Sequence, residues 1–107
     1  MPASSGDRYK VCWSEKNREA TKGIGIRAAR LDLKSEFIEA LKTIVEKLAA
    51  EPLNWGDPQY RFRSANLIIC HGIHAPLQIF YGVDEARHLV YIKEIAALPG
   101  HPLSEEV

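Results

Sequence analysis

Arg61 and Arg63 alternate with the aromatic rings of Tyr60 and Phe62. In an extended strand that spacing puts both guanidiniums on one face. There they would either grip a phosphate in bidentate fashion or form a solvated surface paired with acids such as Asp57. His71 and His74 flank Gly72-Ile73 and offer two imidazoles across a turn. No Cys, third His or carboxylate stands beside them to complete a ligand set, so the pair reads as a polar turn rather than a zinc site. His101 lies in Pro99-Gly100-His101-Pro102, where it is either a turn residue or a proton donor and acceptor. His88 follows Arg87 at the start of a strand-like run and reads as exposed. Tyr60, Phe62, Tyr81 and Tyr91 could stack on bases or, in alternating strands, fill a core. Cys12 and Cys70 each sit alone in an apolar segment, the pattern of small core residues rather than of a disulfide or metal ligand. Gly23-Ile24-Gly25 lacks the third glycine, the Lys-Ser pair and the preceding strand that a phosphate loop needs. No metal or cofactor is expected.

The elements that must carry these residues follow from periodicity. The chain has 107 residues, enough for one domain with its own core. Its 14 basic and 14 acidic residues give a formal net charge of zero, so any nucleic-acid contact must be a local patch. No run approaches the roughly 18–20 apolar residues of a membrane span, and residues 1–7 lack a signal-peptide pattern. A cytoplasmic protein is expected. Residues 1–7 read as a loose tail, 8–98 as one domain and 99–107 as a C-terminal tail.

Tyr9, Val11 and Trp13 alternate as in a strand. Ser14 can cap a helix over 15–31, with Asn17 three residues on, although Gly23 and Gly25 cost about 1 kcal/mol each against alanine. Leu33, Phe37, Leu41, Ile44 and Leu48 form the stripe of a second helix. Asp32 is its expected cap, Pro52 its stop, and Lys42 with Glu46 an i,i+4 pair on its solvated face. Residues 51–58 read as a loop anchored by Leu53 and Trp55. Tyr60–Arg63, Asn66–Cys70, Leu77–Val83 and His88–Ile95 read as strands, with turns at Gly72, Pro76 and 84–87. The expected fold class is α+β: an N-terminal strand, then a helical hairpin packed on a mostly antiparallel sheet. Exposed edge strands would allow a homodimer as readily as a monomer.

This order resembles the RelE/ParE superfamily of bacterial toxins over roughly residues 8–98. The likeness is carried by the N-terminal strand, by Leu48-Ala49-Ala50-Glu51-Pro52-Leu53-Asn54-Trp55-Gly56 closing the helical hairpin, and by Leu77-Gln78-Ile79-Phe80-Tyr81-Gly82-Val83-Asp84-Glu85. The resemblance implies a type II toxin with a cognate antitoxin. It also implies either ribosome-dependent mRNA cleavage or poisoning of DNA gyrase; a non-toxic interaction module of the same fold is the further alternative. On this likeness the residues toward RNA are Arg61, Arg63, His71 and Gln78, and the catalytic candidates are His101, Arg61 and Arg63. Gln78 stands where the nucleases place an arginine, and Ala96-Ala97-Leu98-Pro99-Gly100 replaces their C-terminal arginine. Glutamine can donate a hydrogen bond but supplies no charge to a phosphoryl group.

Overall fold

The computed structural model describes residues 8–104, so the tail expected at 1–7 lies outside the described residues. The chain runs β1 (Lys10–Cys12), α1 (Glu15–Arg30), α2 (Lys34–Ala50), α3 (Pro52–Trp55), β2 (Asp57–Phe62), a 3-10 turn (Arg63–Ala65), β3 (Leu67–His74), β4 (Leu77–Asp84) and β5 (Leu89–Ala97). Its sheet has the order β1-β5-β4-β3-β2. Among the described residues β1 pairs in parallel with β5, and the other pairs are antiparallel. This is the expected α+β class, a helical layer on one face of a mostly antiparallel sheet.

Ser14 caps α1, its Oγ accepting the Asn17 N–H at 3.1 Å. The helix passes through both glycines unbroken. Gly25 has a packing reason: a Cβ there would lie 3.1 Å from the Phe37 ring of α2. Asp32 does not cap α2. Its φ of 61° places it in the left-handed region, which the tight link between helices requires and an aspartate tolerates. Leu33 takes the cap position without a side-chain bond. Phe37, Ala40, Ile44 and Leu48 bury the predicted stripe. The expected Lys42 partner, Glu46, instead meets Arg8 at 3.1 Å on the surface, a pair worth at most about 1 kcal/mol.

The segment expected as a loop at 51–58 contains α3, with Pro52 at its first turn. Gly72 is not at a turn but inside β3, directly beneath Trp55. Tyr81 of β4, fully buried, donates to the Pro52 carbonyl at 2.6 Å and accepts the Gly56 N–H at 3.0 Å. Burial pushes its phenol well above the ordinary 10.0, with the neighbouring Cys70 adding to the rise and the Gly56 bond opposing it. A raised phenol leaves the folded state neutral where the unfolded chain already ionises. Stability is therefore intact below about pH 10 and falls as pH rises beyond it. Equilibrium melts from pH 8 to 11.5 should show that fall, flattened in Tyr81→Phe; equal slopes would contradict it.

The residues after β5, expected as a tail, turn back onto the core up to Ser104. Leu103 is fully buried, its carbonyl accepts from Arg27 Nε at 2.8 Å, and Leu98 N–H reaches Pro76 O at 2.9 Å. Among the described residues no helix is long and apolar enough to cross a membrane.

Candidate functional site on the open sheet face

Alternation divides the sheet into two faces. Leu77, Ile79, Tyr81 and Val83 of β4 meet Ile68 and Cys70 of β3 and Val90, Ile92, Ile95 and Ala97 of β5 beneath the helices. The register puts Tyr60 opposite Ile69, Phe62 opposite Leu67, and Gly82 between Ile69 and Tyr91. Directly opposed residues share a face, so these belong to the side away from α1 and α2. There Tyr60, Phe62, Leu67, Ile69, Gly82, Tyr91 and Lys93 line a groove of about 380 Å³. Gly82 is its floor: a Cβ at that position would come within 3.2 Å of Ile69 and Leu67. Tyr60 and Phe62 are 53% and 48% exposed, so two aromatic rings of the wall stand half in water instead of in the core.

Lys93 owes its place to an irregularity. Phe80 pairs with Glu94 and Tyr81 with Ile92, so Lys93 is the extra residue of a bulge in β5. Asn17, buried on α1, secures it by donating from Nδ2 to the carbonyls of Ile92 at 2.9 Å and Lys93 at 3.4 Å. Neither residue stands out in the sequence; the available signal was an asparagine on the buried face of a helix. Asn17→Ala would orphan those carbonyls and should cost about 2 kcal/mol. Wild-type stability in a urea titration would contradict this account of the bulge.

Along the strands from the groove, His71 lies opposite Asp57 on one side and Phe80 on the other. Its ring stacks on Phe80 with centroids 4.3 Å apart and planes 15° from parallel. Its Nε2 lies 2.9 Å from Gln78 Oε1. Glu94, opposite Phe80 on β5, completes the row. At the other end of the groove a wider cleft of about 690 Å³ shares Leu67 and Tyr91 and adds Asn66, Asp84 and Arg87. Asp84 fixes that hairpin, accepting the Arg87 N–H at 3.1 Å. Asp84→Ala should cost about 1–2 kcal/mol and Arg87→Ala, 74% exposed, at most about 0.5; equal losses in thermal melts would contradict that division.

The candidate residues therefore separate. His71 and Gln78 are brought together on the open face. Arg61 pairs with Ile68, which faces the helices, and Arg63 lies outside the strand in the 3-10 turn, so the two arginines do not share a strand face. His74 pairs with Leu77 of the core face, opposite in sense to His71 on the same strand. His101 lies beyond the far end of β5, its Nδ1 accepting the Leu103 N–H at 3.0 Å. Ala97 at that end of β5 lies in line with Leu77 and His74, three strand steps of about 4.8 Å and six residues of about 3.4 Å from Arg61, which pairs with Ile68. His101 and Arg61 sit at opposed corners of the sheet, too far apart for one reacting phosphate. Among the described residues no cluster of three or more His, Cys, Asp or Glu could hold a metal ion.

No family model matches the chain, and no curated protein matches it. A solved structure does: a chain of the toxin-antitoxin complex RelBE2 from Mycobacterium tuberculosis superposes with a TM-score of 0.61 at 18% identity, covering 85% of this chain and 99% of that one. At that identity the likeness speaks to architecture. Together with the element order and the sheet topology, it shows that this chain has a RelE-like α+β fold.

Proposed function

We propose that the protein is the toxin-like component of a type II toxin-antitoxin module, acting in the cytoplasm on RNA laid across its open sheet face and neutralised by a cognate antitoxin. The observation that carries this reading is the juxtaposition on that face of an aromatic groove, a lysine and an oriented imidazole. Aromatic rings stack on bases without regard to sequence at about 1–3 kcal/mol per base, and an imidazole is the side chain best suited to move a proton near neutral pH. In this reading the activity is a slow ribosome-dependent mRNA cleavage. Gln78 brings no charge to the phosphoryl oxygens, and one missing electrostatic partner costs on the order of 10²–10³ in rate.

A second reading is favoured by a different observation. The chain is formally neutral, and half-exposed Tyr60 and Phe62 suit a protein partner as well as a base. On that reading the same face binds DNA gyrase or another protein without catalysis, or serves a non-toxic interaction module. Inducing the chain in bacteria and mapping the 5′ ends of ribosome-bound mRNA separates them. Growth arrest with new cuts within A-site codons supports the nuclease. Arrest with blocked supercoiling and intact mRNA supports gyrase, and no growth defect at high expression defeats both toxin readings.

A further inference from the structure

The sequence pointed to His101 for proton transfer, yet its Nδ1 is occupied by the Leu103 N–H. His71 is different. Its ring is held at two points, by stacking on Phe80 and by the bond to Gln78. With Gln78 Oε1 accepting, Nε2 carries the proton and Nδ1 keeps its lone pair, for which no hydrogen-bond partner exists among the described residues. The groove with Tyr60, Tyr91 and Lys93 begins one pair along the same face, since Ile69 and Gly82 precede His71 and Phe80 in register.

We propose that His71 is the general base of the open face, acting on a ribose 2′-hydroxyl of single-stranded RNA, with Gln78 and Phe80 as its positioning residues. This rests on the RNA-directed reading above. Nδ1 takes the 2′-hydroxyl proton while O2′ attacks the adjacent phosphorus. The P–O5′ bond breaks with its electron pair going to O5′, which takes a proton from water. The products are a 2′,3′-cyclic phosphate and a 5′-hydroxyl, and the imidazolium returns its proton to solvent. The charged groups facing His71 are Asp57 from β2 and Glu94 from β5, with Lys93 beside Glu94. Lys93 lines the groove and is the cation placed to meet the phosphate.

Single-turnover cleavage of an mRNA on purified ribosomes, with end-group analysis of the products, tests this. Wild type should leave cyclic phosphate ends. His71→Ala should slow cleavage about 100-fold or more, while a cooperative melt shifted by no more than several degrees shows that it still folds. Gln78→Ala should slow it less and alter the pH profile. His74→Ala, on the other face of the same strand, should retain the wild-type rate. If the wild type cuts and His71→Ala cuts equally fast, or the ends are not cyclic, the assignment is overturned and the RNA reading stands. If the wild type retains RNA but never cuts it, both fall.

Discussion

Replacing Gly72 with alanine is expected to destabilise the protein by about 3 kcal/mol, a loss of about 12 °C or more in melting temperature. A glycine in mid-strand usually weakens a sheet, because it forfeits a side chain and costs backbone entropy. Here Trp55 of α3 lies where the side chain would be. A Cβ on Gly72 would stand 2.3 Å from Trp55 Cζ3 and 2.5 Å from Cη2. The ring has little room to retreat on its inner side, since it stacks on Tyr81 with centroids 6.1 Å apart. Swinging outward would surrender its burial. The clash and the lost packing share one cause, so the substitutions are not additive. Trp55→Ala combined with Gly72→Ala should cost at least about 1 kcal/mol less than the sum of the single changes. Strict additivity in a double-mutant cycle would show that the ring does not rest on that glycine.

Tyr81→Phe should cost about 3 kcal/mol despite removing a single oxygen. That oxygen serves two buried backbone groups, the Pro52 carbonyl and the Gly56 N–H. Each left unsatisfied costs about 1–3 kcal/mol. Gly56 leaves room for the hydroxyl, since a Cβ there would lie 2.3 Å from Tyr81 Oη. The phenol thus clasps α3 to the centre of the sheet and fixes where β2 starts. Because β2 carries Tyr60 and Phe62, the same substitution should loosen the groove wall. Hydrogen exchange should rise first at β2 amides in Tyr81→Phe; uniform protection loss across the sheet would contradict a local clasp.

Much of this architecture was legible from periodicity. The α2 stripe and the alternation of Leu77, Ile79, Tyr81 and Val83 both report burial directly, so their elements and faces followed. Elsewhere tertiary contacts override local signals. Gly72 looks like a turn because its reason, the Trp55 ring, lies in a segment far back in sequence. Asp32 looks like a cap because the left-handed φ demanded by a short helical link leaves no local mark. The site was legible in part. His71 and Gln78 could be named from the resemblance, but their hydrogen bond depends on the register of β3 against β4. Arg61 and Arg63 appeared to share a face because nothing in the residues shows that β2 ends at Phe62. Lys93 reaches the groove through a bulge held from α1, a long-range cause that spacing cannot express.

On the proposed function, RNA is bound and cut on the open sheet face. Reversing one charge on each side of the sheet tests it most directly. Lys93→Glu alters the groove, whereas Lys42→Glu alters the exposed surface of α2 by the same charge. Induced Lys93→Glu is expected to lose growth arrest and the mapped mRNA cuts, while Lys42→Glu retains both at wild-type level. Equal toxicity and equal cutting by the two variants would contradict it.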